Sequence, residues 1–250
     1  MRKKVVVLGG SSGIGRSAAL RFAKEGWAVL VAAPDFDNVK KVVGELEGEG
    51  HWALKLDVVR QDDLNQLKTI VEKDFFPIDA IVNSIGVSKA VDVVGTEFDE
   101  WDKLLQVMMY GVIKASRLLI PFLVNGGRVI NVTSIHWSRV ATGSSSYGIA
   151  KAAITQFTRS LAVELASKNI LVNAVAPGFV NTGMSIKDDG QNELDSEWFY
   201  DNYIRYDHLP LKRAAEPGEI AGVIWFLAGP DASYITGSVL TVDGGLTITF

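Results

Sequence analysis

The sequence predicts an α/β fold in which helices cover both faces of one doubly wound parallel sheet. Short runs of β-branched and other apolar residues recur along the chain without polar alternation, as is typical of strands covered on both faces. Longer amphipathic stretches separate these runs. This alternation of strand and helix predicts parallel strands joined by helical crossovers.

The predicted elements follow one another in a regular order. Seven runs predict strands, and the third is the weakest: residues 5–8, 28–31, 52–56, 80–82, 129–132, 170–172 and 239–242. The main helical stretches between them are residues 14–24, 61–72, 98–123, 147–167 and 216–227. No linker, repeat or shift in composition marks a boundary, so we expect one domain over residues 1–250.

Residues 183–209 interrupt this rhythm with an acidic, aromatic and poorly periodic stretch. A loop of this length inside a compact domain is usually functional or disordered. Its many aromatic side chains argue against disorder. We interpret it as a lid of one or two short helices, and a merely tolerated insertion is the alternative.

Composition excludes several classes of protein. The 250 residues contain no cysteine, which excludes disulfides, thiolate metal sites and a cysteine nucleophile. The three histidines, at positions 51, 136 and 208, have no ligand-like spacing, so we predict no metal site. A net charge of −4 gives no basic surface for nucleic acid. Since no apolar run is long enough for an export signal or a membrane span, we expect a cytoplasmic protein.

The first predicted strand runs directly into a glycine-rich turn that opens a helix. Its residues are Gly9, Gly10, Ser11, Ser12, Gly13, Ile14 and Gly15. Glycines let the backbone turn sharply and approach a diphosphate, which then lies at the positive end of the helix. A plain glycine-rich turn is the alternative.

Six motifs in this order resemble the short-chain dehydrogenase/reductase (SDR) family over nearly the whole chain. They are the glycine turn, Asn83-Ser84-Ile85-Gly86, Ser134, Tyr147-x-x-x-Lys151, the stretch from Asn173 to Gly178 with Thr182 following, and the stretch from Val242 to Gly245. The resemblance implies a Rossmann fold with strand order 3-2-1-4-5-6-7. It also implies an NAD(P)-dependent oxidoreductase that transfers a hydride between nicotinamide and a secondary alcohol or carbonyl.

The resemblance implies a role for many residues. Ser134, Tyr147 and Lys151 would be catalytic, with Lys151 also bonding the nicotinamide ribose. Thr182 would bond the nicotinamide carboxamide, and Asp57 would contact the adenine or else cap a helix. The remaining implied cofactor residues are Asp35, Val58, Asn83, Gly86, Pro177, Gly178 and Val180.

The Tyr–Lys spacing gives this chemistry a physical reason. A free tyrosine has a pKa of about 10 and is a poor base at neutral pH. Residues four apart lie on one helix face, so the Lys151 ammonium can stabilise a phenolate on Tyr147. Lowering the tyrosine pKa from about 10 to about 7 requires roughly 4 kcal/mol of such stabilisation. The Ser134 hydroxyl can donate to the substrate oxygen.

Two positions depart from the family pattern. Met108 stands where relatives usually carry an asparagine that holds a water in a proton relay, and a thioether cannot replace an amide. Either the relay uses another group or water, or turnover is modest, or the chain binds nicotinamide and catalyses weakly. Leu8 replaces the usual threonine before the glycine turn.

The choice between NAD and NADP depends on the end of the second strand. The usual acid is replaced there by Ala33, and Pro34 follows where an NADP enzyme often has arginine. Asp35 reaches the ribose or simply begins the next helix. With no cation here for a 2′-phosphate we favour NAD, although Arg16 argues for NADP.

Substrate contacts are expected from His136, Trp137 and Phe179, and a loop histidine without a role is the alternative for His136. Acidic residues of the lid outnumber Lys187 and Arg205: Asp188, Asp189, Glu193, Asp195, Glu197, Asp201 and Asp207. Such a field disfavours an acidic carrier protein, so we expect a sugar, polyol or other small neutral hydroxy compound. Reduction of a 3-oxoacyl group with NADPH is the alternative.

The resemblance also implies a homodimer or homotetramer. The helices at 98–123 and 147–167 would pack across a two-fold axis, and the apolar tail Leu246-Thr247-Ile248-Thr249-Phe250 would be covered by a neighbouring subunit.

Overall fold

Seven parallel strands form one sheet in the order β3-β2-β1-β4-β5-β6-β7, as predicted. The structure is a computed structural model that describes residues 2–87, 89–187 and 189–249. The strands are β1 Lys4–Leu8, β2 Ala28–Ala33, β3 Trp52–Lys55, β4 Ile78–Asn83, β5 Leu123–Val132, β6 Leu171–Pro177 and β7 Val239–Val242. Asp188 of the acidic lid and Phe250 of the apolar tail lie outside the described residues.

Helices cover both faces of this sheet. They are α1 Gly13–Lys24, α2 Phe36–Glu45, α3 Gln61–Ile70, α4 Phe98–Leu105, α5 Val112–Leu119, α6 Ser145–Glu164, α7 Glu197–Phe199 and α8 Pro217–Ala228. The sequence does not clearly predict helix α2, because only Val39 and Val42 of this helix are buried. A π-helical segment, Gln106–Gly111, joins α4 to α5 within the predicted helix at 98–123.

Two apolar layers hold the sheet between the helices. Alternate residues of β1 and β2, such as Val5 and Val29, pack with α1 and α8 on one face. The intervening residues, such as Val6 and Leu30, pack with α3 and α5 on the other face. The absence of polar alternation in the sequence therefore reflects burial of both faces.

One continuous helical stretch, Phe98–Phe122, is long and apolar enough to cross a membrane by length and composition. Leu105, Met108 and Leu119 of this stretch are buried in the protein core. The core helix of a globular protein has the same length and composition, and this burial is typical of such a helix.

The lid at 183–209 contains short helical turns. They are the 3₁₀ turns Gly183–Ser185 and Glu193–Asp195, helix α7 and the π-helical turn Tyr200–Ile204. This segment follows β6, so it lies at the carboxyl edge of the sheet, where ligands bind in open α/β folds.

Candidate active site

Ser134, Tyr147 and Lys151 come together at the carboxyl edge of the sheet and line one cavity of about 760 Å³. Ser134 follows the end of β5 and is 7% exposed. Tyr147 lies in the first turn of α6, and Lys151 lies one turn later. A strand end and a helix start thus bring a hydroxyl, a phenol and an amine to one place.

The Lys151 side chain is held by backbone carbonyl groups. Its Nζ donates to the oxygens of Val132, at 3.1 Å, and Ile85, at 3.5 Å. The same Nζ lies 5.5 Å from the centroid of the Tyr147 ring. The ammonium is therefore fixed near the phenol by the ends of β4 and β5.

Burial favours the neutral form of both Tyr147 and Lys151. It raises the pKa of Tyr147, and a hydrogen bond with Ser134 opposes that rise. Burial also lowers the pKa of Lys151 to about 8. Because burial disfavours the phenolate, the Tyr147 phenol is neutral in the cofactor-free protein, and stabilisation of the phenolate by Lys151 stays a prediction.

The glycine turn fits a dinucleotide. Gly9 has a φ of +76°, and a Cβ there would lie 2.5 Å from the carbonyl oxygen of Ser84. A Cβ on Gly15 would lie 2.2 Å from the carbonyl oxygen of Gly9. Helix α1 begins within this turn, and the side chain of its N-cap, Ser12, makes no capping hydrogen bond. Its first amides are thus left for an anionic group such as a diphosphate.

Most of the implied cofactor residues line the same cavity. They are Gly9, Ser11, Ser12, Gly13, Ile14, Asp57, Val58, Gly86, Pro177, Gly178, Val180 and Thr182. Asp57 also accepts a hydrogen bond from the amide of Val59 at 3.1 Å, so it braces the loop after β3. Gly15 lies beneath the turn and is not among the lining residues.

Asp35 begins a helix, which is one of the two roles that the sequence predicts for it. Its carboxylate accepts hydrogen bonds from the amide of Asn38, at 3.1 Å, and from the Asn38 side chain, at 2.7 Å. It caps α2 and is not among the residues that line the cavity. Arg16 is also outside the lining, and its guanidinium pairs with Glu45.

Asn83 lies below the cavity in a buried polar network. Its Nδ2 donates to Asn131 Oδ1 at 2.6 Å and to Ser116 Oγ at 3.0 Å. Asn131 in turn donates to Thr158 Oγ1 at 2.8 Å. The network joins β4 and β5 to helices α5 and α6. Asn83 is therefore placed to support the strands and helices that carry the site.

The three predicted substrate residues lie beside the cavity and are not among its lining residues. The ring of His136 meets that of Tyr147 edge to face, with centroids 5.6 Å apart. Its Nδ1 is buried without a hydrogen-bond partner, and burial lowers the pKa of this imidazole. Trp137 packs under the guanidinium of Arg159, and Phe179 packs on lid aromatics. Their contact with substrate stays a prediction.

Met108 fills the position of the usual relay asparagine with an apolar side chain. It is 1% exposed and packs with Val91, Leu104, Leu105 and Ala150. It lies in the π-helical segment between α4 and α5. A relay through this position has no polar side chain to use.

Glu193 and Met184 were not predicted to be part of the site. Both line the cavity from the lid. A Cβ on Gly86 would lie 3.3 Å from Cε of Met184 and 3.9 Å from Nζ of Lys151, so the lid reaches the catalytic end. The acidic composition of residues 183–209 is the only feature of the sequence that points to a role for Glu193.

Within the part of the chain that the structure describes, no group of three His, Asp or Glu side chains is arranged to hold a metal ion. The arrangement can bind a dinucleotide on the glycine turn and exchange a proton through Tyr147 beside it.

Comparison with known proteins identifies the family of this chain. A family model described as enoyl-(acyl carrier protein) reductase matches residues 9–247. A 3-oxoacyl-(acyl-carrier-protein) reductase of Thermotoga maritima is 34% identical over 98% of this chain and 98% of its own. Carbonyl reductase family member 4 of Xenopus laevis is 32% identical over 99% of each chain.

Solved structures show the same architecture. A short-chain dehydrogenase/reductase of Serratia marcescens is 32% identical, covers 98% of each chain and has a TM-score of 0.88. An acetoin dehydrogenase of Enterobacter cloacae is 30% identical over 100% of this chain and 97% of its own, with a TM-score of 0.85. A Thermoplasma acidophilum aldohexose dehydrogenase is 28% identical over 100% of this chain and 95% of its own, with a TM-score of 0.84.

Proposed function

Because this chain belongs to the short-chain dehydrogenase/reductase family and is an NAD(P)-dependent oxidoreductase, we propose that it interconverts a small neutral secondary alcohol and its ketone, with NAD as cofactor. The observation that carries this proposal is the presence of Ser134, Tyr147 and Lys151 in one cavity with the glycine turn. When bound, the nicotinamide supplies the hydride acceptor or donor.

The residues of this chain hold the substrate oxygen and move its proton. Ser134 donates a hydrogen bond to that oxygen and steadies the charge that develops on it. Tyr147 exchanges the proton at its phenol oxygen. Lys151 stabilises the deprotonated phenol and orients the cofactor ribose, since its Nζ is held by the carbonyls of Val132 and Ile85.

The charges around the cavity support NAD over NADP. Among the described lining residues, Lys151 is the single lysine or arginine, and its Nζ is bonded to carbonyls near Tyr147. Arg16, the cation that the sequence offers for a 2′-phosphate, pairs with Glu45 outside the lining. A 2′-phosphate therefore meets no free cation among the described lining residues.

Reduction of a 3-oxoacyl group with NADPH is the second candidate. Relatives at 34% identity, such as the Thermotoga maritima protein and one from Mus musculus, are named 3-oxoacyl-(acyl-carrier-protein) reductases. The acidic lid opposes this candidate, because it repels an acidic carrier protein. Cytoplasmic location stays a prediction.

The test is a titration followed by a panel. NAD and NADP are first titrated against the purified protein, and we expect NAD to bind more tightly. The preferred cofactor is then assayed with sugars, polyols, acetoin and hydroxy acids in both directions, with acetoacetyl thioesters and NADPH as the second arm. Absence of turnover in every arm would overturn the enzymatic proposal, and turnover of the thioesters alone would favour the second candidate.

A further inference from the structure

Glu193 brings a carboxylate to the lid end of the cavity. The residue is half-buried and lines the cavity with Met184 and Ile186 of the same lid. Among the described residues, no lysine, arginine or histidine forms an ion pair with it. A half-buried carboxylate without a counter-charge is open to accept a hydrogen bond from a ligand.

The backbone around Glu193 is held by several hydrogen bonds. Asn192 caps the turn by accepting from the amide of Leu194 at 3.1 Å, and its Nδ2 donates to Asn181 Oδ1 at 3.1 Å. Ser196 Oγ donates to the carbonyl of Glu193 at 2.6 Å. These bonds tie the turn to the loop after β6, so the position of Glu193 is set by the fold.

An aromatic wall adjoins this carboxylate. Tyr203 packs on Phe179 with ring centroids 4.7 Å apart, and burial together with the charge of Glu193 raises the pKa of Tyr203. The Tyr203 phenol therefore stays protonated and adds no charge of its own. Asp57 and Lys151 are the other charged residues that line the cavity. An anionic substrate would thus meet negative charge at the lid end.

We propose that Glu193 selects the substrate by accepting a hydrogen bond from a hydroxyl group beyond the reacting carbon. The substrate class is then a neutral polyhydroxyl compound, and a carboxylate at the same place is rejected by like charge. This inference rests on the proposed alcohol dehydrogenase function and assigns its specificity to one lid residue.

Matched substrate pairs test this selection. D-Sorbitol and gluconate differ by a terminal carboxylate, and 1,3-butanediol and 3-hydroxybutyrate form a shorter pair. The ratio of kcat/KM for the neutral member to that for the acid is measured for the natural protein and for Glu193→Gln, and compounds that are not turned over are compared as inhibitors. We expect the substitution to lower this ratio about tenfold or more, the effect of one hydrogen bond to a charged group.

Glu197→Gln is the matched control, because Glu197 lies in the same lid, is exposed and is not a lining residue. It should leave the ratio within about twofold, and Glu193→Gln should leave the Kd for NAD equally unchanged. An unchanged ratio in Glu193→Gln would overturn the inference. So would a shift in the NAD Kd alone, or turnover confined to alcohols outside both pairs. Absence of turnover with any alcohol would instead overturn the proposed function itself.

Discussion

Tyr147 and Lys151 occupy adjacent turns of α6, yet burial disfavours the charged form of each. It raises the pKa of Tyr147 and lowers that of Lys151 to about 8. At neutral pH the resting site therefore holds a neutral phenol and a mostly protonated amine. The positive ring of the oxidised cofactor would favour the phenolate, so we expect proton exchange to be coupled to cofactor binding.

Tyr147→Phe should lower kcat by about 10²–10⁴-fold, because it removes the proton-exchanging oxygen and keeps the ring. The Kd for NAD should change by less than about threefold, since the glycine turn is untouched. Single-turnover assays and cofactor titration measure the two quantities. A variant with full activity would show that Tyr147 is not the acid–base group.

Lys151→Met should raise stability at pH 7 by about 1–3 kcal/mol, because a buried ammonium is replaced by an apolar side chain. The pKa of Lys151 is about 8 in the folded protein, against 10.5 for an ordinary lysine. Between those values the unfolded chain binds more protons, so the contribution of Lys151 to stability rises with pH.

The advantage of Lys151→Met should consequently shrink as the pH rises from 8 toward 10.5. Urea unfolding at pH 7 and pH 9.5 checks this, and Lys168→Met on an exposed turn serves as a control. An equal advantage at both pH values would contradict the assigned titration. Lys151→Met should also be inactive at both pH values.

At the scale of elements, the lid and the interrupted helix set the shape of the site. The π-helical segment Gln106–Gly111 carries Met108 into the core beside α6. Phe179, Phe199 and Tyr203 pack edge to face or tilted, with centroids 4.7–5.4 Å apart. This aromatic cluster holds the lid to the end of β6.

Phe179→Ala should loosen the lid and lower stability by about 1–3 kcal/mol, because two aromatic contacts are lost. Hydrogen exchange should speed up within residues 183–209 and stay unchanged in β1, β4 and β5. KM for the alcohol should rise more than the Kd for NAD. Faster exchange spread evenly over the sheet would mean that Phe179 supports the whole core.

At the scale of the whole molecule, strand order brings distant residues to one edge of the sheet. Residues that follow β1, β4, β5 and β6 all line the cavity, because the strands are parallel and their carboxyl ends share that edge. The outer surface carries large apolar side chains that are exposed to solvent. Among them, Phe98, Val163 and Ile248 are 69%, 79% and 85% exposed.

These exposed side chains lie on the helices and tail that the sequence assigned to subunit contacts. We therefore expect a homodimer or homotetramer in solution, since association would cover them. Light scattering should give two or four times the chain mass of 27.1 kDa. Val163→Glu should shift that mass downward if α6 forms the interface, and a species of the chain mass alone would contradict the assembly.

The sequence by itself determined the features that depend on short spacings. Two residues four apart share a helix face, so the pairing of Tyr147 with Lys151 could be predicted. The glycine turn could be predicted because a strand, the turn and a helix are contiguous. Buried strands without polar alternation likewise indicated a parallel sheet, and the structure has that sheet.

Only the tertiary structure decided the features that depend on residues distant in sequence. It directed Asp35 to the cap of α2, Arg16 to Glu45 and Asn83 to Asn131. It also placed Glu193 in the cavity and showed that burial raises the pKa of Tyr147. Desolvation and side-chain pairing depend on what packs around a group, and local spacing does not contain that information.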